Sequence, residues 1–336
     1  MRRSLTLLPL LVTLAIMASA LPAAARSDIA IGWTVEGDGH DKAWVMAQVD
    51  AYIADVGEKP RIWGIWSKWG DRKGDSNGPC PTDRGSCRFP TETVKALHAR
   101  GITPMIWWVY VDPKDPYGNR NFGQYARIIN HHHDAYIKQW AKAARDVGRE
   151  TGGKTIIRFG HESDGTWFAW STSLYQNTPT KFQKAWRQIW KKFNKVDAIP
   201  HVRFLWSQIK PRANHYPGDR YVDFVGLTLL NPGTTEGDPW KRAKDVLDGK
   251  VSKARKVTKK PIIGAEIGSG HGGGDKGEWV RQLYTRAYYK HPYVKGLVYL
   301  NANRGPDWRL HVGDSGAGLI AYSKLAKLQQ FKGTIK

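Results

Sequence analysis

The chain alternates short apolar segments with longer amphipathic ones over most of its length. The short segments are rich in Ile, Val, Trp and Phe, which favour strands, and most are followed by a stretch with helical periodicity. This repetition predicts a parallel sheet, because consecutive parallel strands need a long crossover between them. We predict eight strands, at Ile29–Thr34, Arg61–Ile65, Thr103–Tyr110, Thr155–Phe159, Arg203–Trp206, Val222–Thr228, Pro261–Glu266 and Gly296–Leu300.

The amphipathic segments predict helices in all but one of the gaps between strands. Between the fifth and sixth strands the sequence "SQIKPRANHYPGDRYVD" has the Pro, Asn and Gly content of a loop. Such an alternation fits a closed barrel or a doubly wound sheet. The predicted helices are Lys42–Asp55, Thr91–Arg100, Asp134–Glu150, Thr180–Asn194, Pro239–Thr258, Lys276–Tyr289 and a last one near Tyr322–Phe331.

Reactive residue types gather at the carboxyl ends of the predicted strands. In a closed barrel all of these ends meet on one face, which is where such folds build their active sites. This placement favours the barrel, and we predict a single-domain (β/α)8 TIM barrel of the α/β class over residues 26–336. The residues at the strand ends are Trp66, Tyr110, Glu162, Trp206, Glu266 and Asn301.

Two of these residues are glutamates, and their spacing brings them to one cleft. Glu162 follows the fourth strand and Glu266 closes the seventh, 104 residues further along the chain. At about 30 residues for each strand and helix, the two strands lie nearly opposite each other across the barrel mouth. Hydrolysis of a glycosidic bond needs one carboxylic acid to protonate the leaving oxygen and one carboxylate at the anomeric carbon. The alternative for each glutamate is a surface acid at the start of a loop.

Aromatic residues accompany the glutamates. Aromatic rings stack on the apolar faces of sugars, so the many tryptophans at loop starts favour a carbohydrate cleft. By contrast, Trp186 and Trp190 are four residues apart within a predicted helix and are expected to pack in the core. The predicted substrate-binding residues are Trp66, Trp108, Trp167, Trp206 and Tyr299.

The amino terminus predicts export. Basic residues, an apolar run from about Leu5 to Met17 and the small residues before Arg26 are typical of a signal peptide over residues 1–25. Its removal takes away Arg2 and Arg3 and lowers the net charge from +22 to +20. We expect a secreted, extracellular protein, a monomer without membrane insertion, that adsorbs to anionic cell walls. Nucleic acid is not an expected partner, because no recognition motif accompanies the charge.

Two cysteines lie in the loop "GPCPTDRGSCRFP". Outside the cell such thiols can pair and stay paired. We predict a disulfide between Cys80 and Cys87, worth roughly 2–3 kcal/mol for so short a loop. Two unpaired thiols are the alternative.

Two further motifs bear on metal and cofactor binding. The run His131–His133 suggests a zinc site. However, the side chains of adjacent helical residues point in different directions, so they cannot share one tetrahedral ion without distortion. An exposed helix start, capped by Asn130 or Asp134, is the preferred interpretation. The glycine-rich segment around His271 lacks the phosphate-loop pattern and reads as a mobile loop beside Glu266. We therefore predict no metal and no organic cofactor.

The segment "RFGHESDGTWFAW" resembles the fourth-strand motif of glycoside hydrolase family 26, and "GDRYVDFVGL" and "PIIGAEIGS" resemble its sixth and seventh strands. The resemblance implies a (β/α)8 barrel and retaining hydrolysis of a β-linked polysaccharide, most often β-mannan. It implies Glu162 as general acid/base and Glu266 as nucleophile, with carboxyl groups about 5–5.5 Å apart. Arg158 and His161 would support the site from its immediate surroundings, and Trp167 would line it near the leaving group.

Four positions depart from the family pattern. Asp164 replaces an asparagine and is expected to raise the pKa of Glu162 further; Leu230 replaces a tyrosine and Tyr299 a tryptophan. The third strand, "MIWWVYVDP", lacks a histidine. These are substrate-site positions, so β-glucan and β-1,3-xylan stand beside mannan as substrates. A catalytically inactive carbohydrate-binding barrel and a basic surface-adhesion protein are the alternatives from other classes.

Overall fold

A computed structural model describes residues 26–69, 87–110 and 124–335. Eight parallel strands pair in chain order and close into a barrel, with the last strand paired to the first. The predicted (β/α)8 fold is confirmed, although most strand ends differ from the prediction by a few residues. The strands are β1 (Ala30–Thr34), β2 (Ile62–Lys68), β3 (Thr103–Val109), β4 (Thr155–Phe159), β5 (Val202–Gln208), β6 (Phe224–Asn231), β7 (Ile262–Ser269) and β8 (Val294–Leu300).

Helices cover the outside of the barrel. Several begin at a side-chain cap: Asp41 accepts a hydrogen bond from the amide of Trp44, and Thr178 accepts one from that of Lys181. Such caps satisfy backbone donors that have no partner inside a helix. The helices are α1 (Lys42–Val56), α2 (Thr91–Ala99), α3 (Tyr125–Ile129), α4 (Asp134–Thr151), α5 (Pro179–Lys195), α6 (Ala243–Val257), α7 (Lys276–Lys290) and α8 (Ala317–Ala326).

Two helices differ clearly from the prediction. The short helix α3 was not predicted, and the last helix starts five residues earlier than expected. Gly316 allows that early start, because its backbone takes the left-handed conformation, with φ of 76°, that leads into α8. Between β5 and β6 the chain forms two short 3-10 turns, Ala213–His215 and Asp219–Tyr221, and no α-helix, as the loop-like composition indicated.

Each strand presents one face to the barrel interior and one to the helices. Neighbouring tryptophans of β3 illustrate this division. Trp107 points inward, where it stacks on Trp66 with ring centroids 5.2 Å apart. Trp108 points outward and stacks on Trp140 of α4 at 4.1 Å. The core therefore has an inner layer and an aromatic-rich layer between sheet and helices, where Trp186 and Trp190 of α5 lie as predicted.

The pairing of β6 with β7 carries an irregularity beside the site. Leu227 pairs with Gly264 and Thr228 pairs with Glu266, so Ala265 of β7 is the extra residue. A bulge of this kind leaves one residue out of the regular pairing and re-aims the side chains beside it. The bulge lies directly before Glu266, and Thr228 is the β6 residue paired with Glu266.

Some sequence predictions fall outside the described part of the chain. The signal peptide, residues 1–25, lies there, and so does Cys80 of the predicted disulfide, so both stay predictions. Cys87 is buried, and its carbonyl accepts a hydrogen bond from the Tyr136 hydroxyl at 2.7 Å. No helix in the described ranges is both long and apolar enough to span a bilayer.

Candidate active site

Glu162 lies at the carboxyl end of β4 on a strained backbone. Its φ is 52°, in the left-handed region that a residue with a side chain enters at a cost on the order of 1 kcal/mol. Gly160, two residues earlier, has a φ of 51°. The Glu162 amide donates to the Ser207 carbonyl of β5 at 2.9 Å, which holds this turn in place. The strained turn directs the carboxyl group into the mouth.

Glu266 lies on β7 and is held by an arginine from β4. Arg158 Nη1 donates to Glu266 Oε2 at 2.8 Å, and its Nη2 donates to Ser207 Oγ at 3.0 Å. The Arg158 side chain is fully buried and its guanidinium carbon lies 5.1 Å from the centre of the Trp107 ring. A buried ion pair with several contacts fixes both side chains, since removing either partner would leave a charge without compensation.

Thr228 connects the two carboxylates. Its hydroxyl donates to Glu162 Oε1 at 2.5 Å, and Arg158 Nη2 approaches the same hydroxyl at 3.5 Å. A single hydroxyl and a single guanidinium thus link Glu162 to Glu266. The sequence analysis missed Thr228, and the only signal was a polar residue inside the apolar strand "FVGLTLLN".

The environment of Glu162 favours its protonated form. Burial, and after it the negative charge of Glu266, raise the pKa of Glu162 from 4.5 to about 7. Arg158, the Thr228 hydrogen bond and Lys250 oppose this shift without cancelling it. Two carboxyl groups in one low-dielectric site separate in this way because both cannot readily ionise together. The site therefore holds a proton near neutral pH beside an arginine-bound carboxylate.

His161 is surrounded by rings. Its imidazole lies edge-on to Trp66 at 5.8 Å and to Phe168 at 4.9 Å. Burial, and next the Arg158 charge, lower the pKa of His161 well below 6.5, so the ring is neutral. Its carbonyl accepts a hydrogen bond from Trp170 Nε1 at 2.7 Å. His161 is therefore packed between aromatic side chains beside the cleft.

Two predicted tryptophans lie at the barrel mouth. Trp167 follows Glu162 in the β4–α5 loop and is 54% exposed, free to stack on a ligand. Trp66, at the end of β2, is covered on two sides. Trp107 stacks against one face, and the Arg304 guanidinium carbon lies 4.8 Å from its ring centre. Arg304 is held there by an ion pair with Glu36.

Two other predicted tryptophans do not reach the mouth. Trp108 is fully buried between the sheet and α4, where its indole nitrogen donates to the Tyr136 hydroxyl at 3.1 Å. Trp206 is also fully buried and meets Tyr216 at a ring distance of 4.9 Å. Both point outward from their strands, so the prediction that they bind substrate is wrong. In each case the strand places the adjacent residue, Trp107 or Ser207, inside the barrel.

The predicted role of Tyr299 is wrong for the same reason. Its buried hydroxyl donates to the carbonyl of Trp308 at 2.9 Å, so it supports the loop after β8. Trp308, which the sequence analysis missed, packs with Leu230 and covers Gly268. A methyl group at Gly268 would lie 2.9 Å from the Trp308 ring. Because Gly268 is two residues after Glu266 on β7, this apolar wall stands on the same face as that carboxylate.

Asp164 serves the backbone of the neighbouring loop. Its two carboxylate oxygens accept hydrogen bonds from the amides of Ile209 and Lys210, each at 2.8 Å. The Asp164 carboxylate therefore binds two backbone amides in the loop after β5. Asp164 is not among the groups that shift the pKa of Glu162, so the expectation that it raises that pKa is wrong.

The triple histidine divides between surface and core. His131 is exposed and contacts Asp134 at 3.0 Å, whereas His133 is buried against the Tyr110 hydroxyl at 3.1 Å. His133 itself is the first flanking residue of α4, without a side-chain cap, so the predicted cap by Asn130 or Asp134 is wrong. Among the described residues no group of three or more His, Cys, Asp or Glu side chains is arranged to hold a metal ion.

The glycine-rich segment after β7 lies against the loop that precedes α8. A methyl group at Gly313 would come within 2.8 Å of the His271 side chain, and one at Gly233 within 2.7 Å of the Gly272 carbonyl. These close approaches require glycine. The predicted contact of His271 with a sugar remains a prediction.

Two carboxyl groups at the mouth of a closed parallel barrel, where such folds build their active sites, are the pair of groups that hydrolysis of a glycosidic bond requires. The model of glycosyl hydrolase family 26 matches residues 117–256, which include β4, Glu162, Thr228 and most of α6. Over these residues the chain is similar to this family.

One known protein is similar to part of the chain in sequence, and two solved structures are similar to it in fold. Endoglucanase H of Acetivibrio thermocellus is 30% identical over 206 residues, 58% of this chain but 22% of that protein. The chain thus spans about a fifth of that relative. A mannanase structure from Bacillus subtilis superposes with a TM-score of 0.63 at 16% identity, covering 88% of this chain and 85% of that one. A β-mannanase from a symbiotic protist of the termite Reticulitermes speratus gives 0.59 at 15% identity, covering 90% and 88%.

Proposed function

We propose that this protein is a secreted retaining endo-glycosidase that hydrolyses a β-linked polysaccharide. The observation that carries the proposal is the pair of buried carboxyl groups in opposite protonation roles. Glu162 holds a proton near neutral pH, and Glu266 is bound by Arg158 at 2.8 Å. An acid and a nucleophile on opposite sides of one cleft are what glycoside hydrolysis with retention requires.

In the first step Glu162 gives its proton to the glycosidic oxygen while Glu266 attacks the anomeric carbon. The bond to the leaving sugar breaks, and a glycosyl ester forms on Glu266. Thr228 donates to Oε1 of Glu162, which leaves Oε2 as the oxygen that carries the proton. In the second step Glu162, now ionised, takes a proton from water as that water attacks the ester and frees Glu266.

β-Mannan is the first substrate to test. The motif resemblance supports it, as do the mannanases among the structural neighbours. β-Glucan is the second, because the relative at 30% identity is named an endoglucanase. β-1,3-Xylan completes the set. Trp167, with its exposed ring beside Glu162, is the candidate for stacking the sugar on the leaving-group side.

The test is reducing-end release from β-mannan, glucomannan, mixed-linkage β-glucan and β-1,3-xylan by the wild type and by Glu162→Gln and Glu266→Gln. We expect release from one glycan that both substitutions abolish, with the β-anomer appearing first in the product. An inactive carbohydrate-binding barrel would bind a glycan without releasing reducing ends, and Glu266→Ala would bind it equally well. A basic adhesion protein would bind anionic walls in a salt-sensitive way and show no preference for neutral glycans.

A further inference from the structure

A lysine outside the barrel reaches the strand that carries Thr228. Lys250 lies in the middle of α6, and its ammonium group donates a hydrogen bond to the backbone carbonyl of Thr228. Thr228 pairs with Glu266 of β7, next to the register shift between the two strands. The lysine therefore binds the backbone of the residue whose side chain contacts Glu162.

The charge of Lys250 is also close enough to act on the acid directly. Burial, the largest influence, lowers the pKa of Lys250, whereas the negative charges of Glu162 and Asp164 oppose that shift. Two other lysines, Lys241 and Lys253, lower it slightly.

The groups that face Glu162 come from three strands and one helix. They are Glu266 on β7, Arg158 on β4, Thr228 on β6 and Lys250 on α6. The first disfavours ionisation of Glu162 by its charge and the other three favour it. Lys250 is the one among them that approaches from outside the barrel.

We propose that Lys250 is a positioning residue for Glu162: it holds the backbone of β6 at Thr228 so that the Thr228 hydroxyl meets Oε1, and it supplies a positive charge behind the strand. Lys250 touches no substrate in this role. It acts through Thr228 and through the electrostatic field at the carboxyl group. Because Lys250 would position the acid for hydrolysis, the inference rests on the proposed function. The protonation of Glu162 can nevertheless be measured without a substrate.

The experiment compares Lys250→Met, which keeps the apolar stem, with Lys250→Arg, which keeps the donor and the charge. Lys253→Met is the matched control, because Lys253 is exposed on the same helix and its loss changes the net charge equally. Carbon-13 labelled glutamate allows the Glu162 carboxyl to be titrated by NMR, with Glu162→Gln identifying its signal. Unfolding curves for each variant establish that it is folded.

Loss of the cation and of the Thr228 anchor both favour protonated Glu162. We expect Lys250→Met to move the titration midpoint upward by on the order of half a pH unit, and Lys250→Arg and Lys253→Met to leave it near the wild-type value. The basic limb of kcat/KM against pH should move by the same amount. An unchanged midpoint in folded Lys250→Met, or an equal shift in Lys253→Met, overturns the proposal.

The two proposals fail in different ways. If no glycan is hydrolysed, the titration still decides the role of Lys250 in setting the protonation of Glu162. If a glycan is hydrolysed and the midpoint does not move, the proposed function stands and the role of Lys250 is refuted.

Discussion

The protonation of Glu162, the proposed acid, also affects the stability of the fold, and the substitution Glu162→Gln measures this effect. In the unfolded chain this carboxyl ionises at its ordinary pKa of 4.5, whereas in the folded protein the pKa is about 7. The folded state therefore binds the proton more tightly, and stability falls as pH rises from about 4.5 to about 7. Each pKa unit corresponds to about 1.4 kcal/mol, so the cost of an ionised Glu162 reaches about 3 kcal/mol above pH 7.

Glutamine has nearly the same shape and does not titrate. We expect the free energy of unfolding of Glu162→Gln, relative to wild type, to be about 3 kcal/mol more favourable at pH 8 than at pH 4. Urea unfolding at several pH values gives this difference. Any pH-independent effect of the glutamine side chain on the free energy of unfolding cancels between the two pH values. Glu92→Gln, at an exposed position in the first turn of α2, is the control and should show no such pH dependence. A difference for Glu162→Gln that stays constant across this range would refute the reasoning.

Three further outcomes follow from the site. Arg158→Met leaves Glu266 buried without its partner, so we expect the free energy of unfolding in urea to fall by about 3–5 kcal/mol and hydrolysis to be lost. An unaltered unfolding curve would contradict the described ion pair. Trp167→Ala should raise KM for the polysaccharide with little change in stability, whereas Trp108→Ala should lower the free energy of unfolding by about 3–5 kcal/mol. Initial rates and unfolding curves for these two variants distinguish a residue of the cleft from a residue of the core. Because the proposed acid, Glu162, has to be protonated to act, kcat/KM should fall above about pH 7, and a rate that stays level to pH 9 would exclude it as the acid.

The barrel could be predicted because its sequence pattern is local and repeated eight times. Strands that are buried on both faces appear in the sequence as apolar runs, and the amphipathic helices between them are recognised by their helical periodicity. The five residues of α3 are too few to show a period. The start of α8 was missed because glycines around Gly316, usually a loop signal, here supply the turn that begins the helix.

The carboxylates could be predicted, and the choice among aromatic residues could not. Residue type and position at a strand end were sufficient for Glu162 and Glu266. For "WW" in β3, the sequence does not indicate which of Trp107 and Trp108 faces inward, because both environments are apolar. That choice depends on the register of the closed barrel, which is a long-range property.

The residues that support Glu162 were equally hard to recognise. Thr228 is a single polar residue in an apolar strand, and its pairing with Glu266 depends on a register shift that no short motif encodes. Lys250 lies on a helix rich in lysines, where each cation has the appearance of a solvated surface group. Only the packing of α6 against β6 distinguishes it from the others.

The stacked indoles of Trp66 and Trp107 have an optical consequence. The two rings are nearly parallel, with an angle of 18° between their planes, and a guanidinium lies over each of them. Parallel chromophores at this separation couple their electronic transitions, and a nearby cation shifts the energies of those transitions. A glycan that displaces Arg304 from Trp66 would change the circular dichroism and the fluorescence of this pair. The Trp66–Trp107 pair therefore offers a label-free signal with which to test the binding of a glycan at the mouth of the barrel.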